Sequence, residues 1–101
     1  MHALSGYLEF RDDERELTLA ALRDVSTRSR QDPGCVDYWW AEDLEVPNRF
    51  RFFECWESVE AFEAHQAQPY EAAFMAEHVA RITGFDAHVL DLSGRHPVLG
   101  D

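Results

Sequence analysis

The stretch DPGCVDYWWAEDLEVPNRFRFFECWES, residues 32–58, contains two aromatic runs, at about 35–43 and 49–57, that predict two strands. The segment LEVPN between them has the composition of a turn, so the strands are expected to form a hairpin. Aromatic residues occur at both odd and even positions, which places large apolar groups on both faces of the hairpin. We therefore expect helices to cover one face and a partner to cover the other.

A helix is predicted before the hairpin, over about residues 13–30. Leu17, Ala21 and Val25 recur there every four residues, which is the spacing of one helix face. Pro33 cannot continue a helix, so the helix is expected to end before it.

Further elements are predicted after the hairpin. Ser58 suits the N-cap of a short helix, and Pro69 suits the first position of another. This last helix is expected to continue to about Ile82 and to end at Gly84. The alternating segment 85–92 predicts a final strand.

With residues 2–10 as a first strand, the order is strand, helix, strand, strand, helix, strand. This is the ferredoxin-like βαββαβ order, an α+β fold in which a four-stranded antiparallel sheet carries both helices on one face. A large apolar face left exposed on a monomer would be unusual. The simplest closed arrangement is a two-fold homodimer with the two sheets face to face.

Length and charge narrow the class of protein. The chain of 101 residues predicts one domain, residues 1–101, with 93–101 as an extended tail. The net charge of −11 disfavours nucleic acid and anionic membranes as partners, and it favours a neutral ligand or one held in an apolar pocket. No apolar run approaches the roughly 20 residues that span a bilayer, and charge appears too early for a signal peptide. We therefore expect a soluble, cytoplasmic protein.

Motifs for common cofactors and metals do not occur in the sequence. It contains no GxGxxG fingerprint, no P-loop and no HExxH zinc motif. The two cysteines, Cys35 and Cys55, lack the spacing of a zinc site and are too few for a disulfide scaffold. We therefore expect a protein without a metal or an organic cofactor. This expectation fits a cofactor-free enzyme and a non-enzyme equally well.

Three short motifs resemble those of the antibiotic biosynthesis monooxygenase family, which includes quinol monooxygenases. They are Pro33-Gly34-Cys35 before the second strand, the Glu-x-Trp-x-Ser of residues 54–58 at the end of the third, and Ala64-His65 on the following helix. The resemblance implies a dimeric α+β barrel, a homodimer formed through the sheet with a ligand pocket in each subunit between sheet and helices. It also implies one of several chemistries: cofactor-free oxygenation of phenols and quinols, oxidative heme breakdown, or processing of small signalling molecules.

Two candidate catalytic residues follow from this resemblance together with the strand pattern. Phe52, Glu54 and Trp56 share one face of the third strand, and the resemblance implies that this face lines the pocket. A carboxylate buried among aromatic rings has a raised pKa and can exchange protons near neutral pH. The resemblance also places His65 on the pocket side of its helix, where it could remove a phenolic proton. Both residues also fit a purely structural role.

The remaining candidates are expected to bind substrate. Alternation from Cys35 places Asp37 and Trp39 on the pocket side of the second strand and Tyr38 and Trp40 on the dimer side, although a shift of one residue would exchange the two sets. The expected substrate-binding residues are Asp37, Trp39, Phe52, Trp56, Phe62, Phe74, Met75 and His78.

The function expected from this resemblance is cofactor-independent monooxygenation, an oxidoreductase reaction. His65, or Glu54 through a water, would take a hydroxyl proton from a small phenol or quinol, and the anion would then reduce O₂ directly. The alternative is a non-catalytic dimer that binds a small ligand. A heme-degrading relative is less favoured, because the resemblance places Met75 at the heme-ligand position unless His78 substitutes for it. Processing of a small signalling molecule is also less favoured, although the sequence does not separate it from oxygenation.

Overall fold

In the computed structural model, which describes residues 1–100, the elements follow the predicted order. The strands are β1 (His2–Phe10), β2 (Cys35–Glu42), β3 (Arg49–Trp56) and β4 (Ile82–Asp91). The helices are α1 (Arg15–Arg30), α2 (Val59–Gln66) and α3 (Pro69–His78), and Val79–Arg81 forms a 3-10 turn. Within residues 1–100, no helix has both the length and the apolar character needed to cross a membrane.

The four strands form one antiparallel sheet in the order β2-β3-β1-β4. This arrangement confirms the predicted ferredoxin-like α+β fold. The predicted helix starts are confirmed as well. The Ser58 hydroxyl accepts a hydrogen bond of 3.1 Å from the Ala61 N–H at the start of α2, and Pro69 is the first residue of α3.

The alternation of β3 decides which of its side chains enter the core, because β3 lies between β2 and β1. The side chains that face the helices are at most 9% exposed, and they are Phe50, Phe52, Glu54 and Trp56. The predicted face of β3 is therefore confirmed. Phe50 belongs to an apolar core cluster that consists of Phe10, Leu22, Val25, Phe50 and Phe74. Towards Trp56 the same face carries polar groups into the interior.

A β-bulge interrupts the start of β2. Cys35 lies opposite Trp56, whereas Asp37 lies opposite Cys55. The pairing therefore moves by two residues along β2 and by only one along β3. Val36 is the additional residue. Strict alternation from Cys35 therefore fails at this point, and every later side chain of β2 changes face.

The bulge makes the predicted faces of β2 wrong. Asp37 and Trp39 lie on the outer face of the sheet, away from the helices, whereas Tyr38 and Trp40 lie on the helix side. Tyr38 is 4% exposed, but Trp39 is 40% exposed and stacks on Phe53 of β3 with ring centroids 6.1 Å apart. The residues predicted for the pocket side of β2 and those predicted for its dimer side are therefore exchanged.

The end of the last helix also differs from the prediction. α3 ends at His78, and Ile82 already has an extended backbone and pairs with Phe10. Gly84 consequently lies inside β4 and does not terminate a helix. The β-branched residues Ile82 and Thr83 favour a strand, and this preference prevails over the helical pattern before them.

The helices leave the helix-facing side of β4 uncovered. Phe85 and Val89 lie opposite Leu8 and Leu4 of β1 and share their face. They are nevertheless 75% and 59% exposed. The sheet is thus packed beneath the helices and has an open β4 strip, Phe85 and Val89, along one edge.

The contact between β1 and β4 requires a glycine at position 6. A Cβ at Gly6 would lie 1.9 Å from the Asp86 carbonyl oxygen, so Gly6→Ala must separate the strands. We expect a loss of more than about 2 kcal/mol in the free energy of unfolding, measured by urea denaturation. Gly84→Ala is the matched control, because its Cβ would meet only the end of the Glu9 side chain, which can rotate away. Equal stability of the two variants would contradict this account.

Candidate functional site

His65 lies at the centre of the polar interior, near the C-terminal end of α2, and is 2% exposed. Its ring stacks on the fully buried Trp56, with centroids 4.5 Å apart and an angle of 28° between the planes. Tyr38 and Tyr70 meet the same ring edge-on, at centroid distances of 5.9 and 6.0 Å. The imidazole is therefore enclosed by aromatic rings, which fix its orientation.

One nitrogen of His65 has two polar neighbours. Nδ1 lies 2.9 Å from Asp32 Oδ2 and 3.1 Å from the Tyr70 hydroxyl oxygen. The Tyr70 hydroxyl also donates to the same Asp32 oxygen over 2.5 Å. A carboxylate from the α1–β2 turn and a phenol from α3 thus meet at this nitrogen.

The other nitrogen of His65 has no hydrogen-bond partner. Nε2 lies 3.7 Å from Glu71 Oε2, which is longer than a hydrogen bond. Both atoms are buried and lack a partner, and burial raises the pKa of Glu71 above its ordinary value. Buried polar atoms rarely remain unpaired, so this pair of atoms can receive a polar group.

Glu54 is a buried carboxyl group on the same side of the sheet as His65. It is 8% exposed, and its Oε1 accepts a hydrogen bond of 3.0 Å from the Trp56 indole N–H. Burial raises its pKa, and the hydrogen bond from Trp56 and the nearby His65 and His2 counteract this only in part. The Glu54 carboxyl group therefore keeps its proton to a higher pH than an exposed glutamate does.

Two further titratable groups on this face remain neutral. Burial raises the pKa of the Cys35 thiol to about 11, and the adjacent Glu54 adds to the shift. Burial also raises the pKa of Tyr38 well above its ordinary value, and its hydroxyl accepts a hydrogen bond of 3.1 Å from the Trp40 indole. Both groups therefore keep their protons at neutral pH.

The structure brings together part of the predicted site. Phe52, Glu54, Trp56 and His65 all lie in the space between β3 and the helices. Phe62, on α2, packs against the His2 ring at a centroid distance of 4.8 Å. Asp37 and Trp39 lie on the opposite face of the sheet, for the reason given above.

The predicted residues of α3 lie elsewhere. Phe74 belongs to the apolar core cluster, and Met75 is 42% exposed. His78 is buried between α1 and α3, where its Nδ1 lies 2.9 Å from an Arg81 nitrogen. Because arginine only donates, His78 Nδ1 is an acceptor. None of these three residues has a contact with His65 or Glu54 among those described for residues 1–100.

Four residues of the site were not predicted from the sequence: His2, Asp32, Tyr70 and Glu71. Asp32 stands directly before the Pro33-Gly34 turn, and a turn residue with a carboxylate was a signal that could have identified it. Tyr70 and Glu71 follow Pro69, which begins a new helix and turns both side chains towards α2. Their proximity to His65 depends on the angle between two helices, which no sequence pattern supplies.

Solvent reaches this region from one side. A groove of about 340 Å³ is lined by the α1–β2 turn and α2, including Asp32, Ala61, His65 and Gln68. Two other grooves, of about 480 and 430 Å³, flank α1 and are lined by neither His65 nor Glu54. Among residues 1–100, no three His, Cys, Asp or Glu side chains are grouped so that they could hold a metal ion.

Residues 1–77 match the family model described as antibiotic biosynthesis monooxygenase. An uncharacterized protein of Synechocystis is 32% identical over 72 residues, which is 71% of this chain and 49% of the relative. The chain therefore spans about half the length of the curated relative that it matches.

Solved structures resemble the fold over nearly the whole chain. A Deinococcus radiodurans protein proposed to be an antibiotic biosynthesis monooxygenase has a TM-score of 0.87 at 22% identity, with 99% of this chain and 100% of that chain covered. The protein Rv0793 of Mycobacterium tuberculosis has a TM-score of 0.84 at 23% identity, with 95% and 98% covered. At these identities the likeness shows the fold alone.

The burial of Glu54 has a measurable effect on stability. A carboxyl group whose pKa is raised by folding binds its proton more tightly in the folded state, so its contribution to stability falls as the pH rises through the folded pKa. Glu54→Gln keeps an oxygen for the Trp56 indole and removes the charge. We expect it to raise the free energy of unfolding by about 1 kcal/mol or more at about pH 8, with little change near pH 4.

The measurement is urea denaturation across this pH range. Glu60→Gln, on the exposed surface of the first turn of α2, is the control and should follow the wild-type profile. A Glu54→Gln profile parallel to that of the wild type would show that Glu54 is not desolvated.

Proposed function

Because the chain belongs to the antibiotic biosynthesis monooxygenase family, we propose that it is a cofactor-independent monooxygenase that oxidises a small, neutral phenol or quinol with O₂. The observation that supports this most directly is the difference between the hydrogen-bond partners of the two ring nitrogens of His65. Its Nδ1 is engaged by Asp32, whereas its buried Nε2 is free to accept a proton.

The proposed first step is proton transfer within the enclosed site. A substrate hydroxyl enters the space between His65 Nε2 and Glu71 Oε2 and donates its proton to Nε2. Trp56 and Tyr38 pack against the His65 ring, so aromatic side chains would surround the hydroxyl of a flat aromatic substrate. Glu54 serves as an alternative base, acting through a water, because its raised pKa makes it a stronger base than an exposed glutamate.

The electrons for the second step come from the substrate itself. The phenolate or quinolate transfers electrons to O₂, and a carbon–oxygen bond forms at the ring. For a hydroquinone, one oxygen atom enters the ring and the other leaves as water, so that hydroquinone and O₂ give a hydroxyquinone and water. The four electrons that reduce O₂ are all supplied by the quinol.

The charges of the site favour a neutral substrate. Asp32, Glu54 and Glu71 surround His65, and the chain carries a net charge of −11. A substrate with a carboxylate would meet repulsion from these groups. The open β4 strip, Phe85 and Val89, gives an apolar approach along the helix side of the sheet.

The proposed assembly is a homodimer in which a second copy covers the outer face of the sheet. Trp39, Phe53 and Leu90 give this face an apolar component, and Trp39 is 40% exposed in the single chain. Exposed aromatic residues of this kind are typical anchors of protein interfaces.

The role of His65 is tested by O₂ uptake with a panel of hydroquinones and naphthols. His65→Gln retains an amide that can hydrogen-bond to Asp32 and lacks a basic nitrogen. We expect kcat to fall by a factor on the order of 10² to 10⁴. His96→Gln, at an exposed position near the C-terminus, should retain wild-type activity.

Near-ultraviolet circular dichroism establishes that the His65→Gln variant is folded. A folded variant with wild-type O₂ uptake would exclude His65 as the base. A wild type that binds these ligands without turning them over would instead favour the ligand-binding dimer.

The dimer is tested by light scattering coupled to gel filtration. We expect the wild type to be dimeric at micromolar concentration, and Trp39→Ser to weaken the dimer at least about tenfold, because one buried aromatic anchor contributes more than about 1.4 kcal/mol. Leu44→Ser removes a fully exposed apolar side chain from the β2–β3 turn, away from the outer face of the sheet, and should remain dimeric. A monomeric wild type would refute the dimer.

A further inference from the structure

We propose that Asp32 is a positioning residue that fixes the tautomer of His65, so that Nδ1 carries the proton and Nε2 is the base. This inference rests on the proposed function, because it concerns how the same histidine is prepared to accept a substrate proton. It assigns a role to the acidic residue of the α1–β2 turn, which neither the sequence motifs nor the family match assigns.

The contacts at Nδ1 are satisfied by one arrangement of protons. Asp32 Oδ2 lies 2.9 Å from His65 Nδ1 and 2.5 Å from the Tyr70 hydroxyl oxygen. An ionised carboxylate only accepts, so Nδ1–H and the Tyr70 O–H both donate to it. Without a proton on Nδ1, two lone pairs would face each other across 2.9 Å. The lone pair of the neutral ring therefore lies on Nε2.

The turn that carries Asp32 is held by contacts that do not involve the histidine. The Asp32 N–H donates to the Ser29 carbonyl over 3.1 Å, and the Asp32 carbonyl accepts from the Cys35 N–H over 3.2 Å. The Gln68 side-chain amide donates to Asp32 Oδ1 over 3.2 Å. The carboxylate is thus held by contacts other than the one with the imidazole, which is what a positioning residue requires.

Gly34 brings this turn close enough to α2. It has a φ of +83°, and a Cβ at this position would lie 2.6 Å from the Ala61 Cβ. Ala61 precedes His65 by one helical turn on α2, so the two residues share one face of the helix. The close contact at Gly34 therefore sets the distance between Asp32 and His65.

This arrangement directs the basic nitrogen into the protein. Nε2 faces Glu71 Oε2 in a part of the site where both atoms are buried, whereas Asp32 lines the groove of about 340 Å³. When Nε2 takes a proton, the positive charge of the ring is stabilised by the carboxylate at Nδ1. Asp32 thus orients the base without contacting the substrate.

The tautomer itself can be measured without substrate, by ¹⁵N NMR of histidine-labelled protein. We expect the neutral ring of wild-type His65 to carry its proton on Nδ1. Asp32→Asn should increase the share of the Nε2–H form, whereas Asp12→Asn, the same change at an exposed position before α1, should not. A wild-type ring in the Nε2–H form would overturn the proposal even if Asp32→Asn failed to fold. An unchanged tautomer in folded Asp32→Asn would also overturn it.

Kinetics separate this proposal from the proposed function. With a hydroquinone that the wild type oxidises as substrate, Asp32→Asn should lower kcat on the order of 100-fold. KM should change little, because Asp32 is not expected to contact the substrate. A change in KM alone, with kcat unchanged, would overturn the positioning role. A wild type with the expected tautomer and no quinol oxidation would overturn the proposed function and leave the role of Asp32 standing.

Discussion

One buried imidazole joins three parts of the chain that are distant in sequence. His65, on α2, stacks on Trp56 of β3 and contacts Asp32 in the turn between α1 and β2. A polar ring that is 2% exposed must have hydrogen-bond partners, because burying it without them costs several kcal/mol. The contact with Asp32 supplies a partner for Nδ1. The sheet, the turn and the second helix are therefore fixed relative to one another by the same contacts that leave Nε2 unpaired.

The electrostatics of the interior are unusual for a chain that is already strongly acidic. Near His65, Glu54 is buried and Glu71 is partly buried, and burial raises the pKa of each. Apolar side chains of similar volume would stabilise the fold more effectively than these carboxyl groups, since an ionised carboxylate in this position is poorly solvated. Perturbed acids grouped around a histidine are typical of sites that transfer protons. The loss of stability is thus confined to the region where the chemistry is proposed.

The element order and the inner face of β3 could be predicted from the sequence, because strand alternation continues unbroken from Phe50 to Trp56. The faces of β2 could not, since the single extra residue at Val36 reverses every side chain after it, and no spacing in the sequence marks a bulge. His65 and Glu54 were found through a family resemblance, but their neighbours Asp32 and Tyr70 depend on how the α1–β2 turn and α3 meet α2. Such contacts are set by tertiary packing and have no periodic signal.

The central claim is that ligands are recognised on the helix side of the sheet, at Trp56 and His65. The three tryptophans provide an internal test, because Trp56 lies beside His65, Trp40 lies on the helix side of β2 and Trp39 lies on the outer face. The most direct measurement is an anaerobic titration with a neutral hydroquinone, followed through the indole N–H signals. The account predicts that the Trp56 signal shifts with saturation while that of Trp39 stays in place. A shift confined to Trp39, or no shift at Trp56 when the ligand is bound, would contradict it.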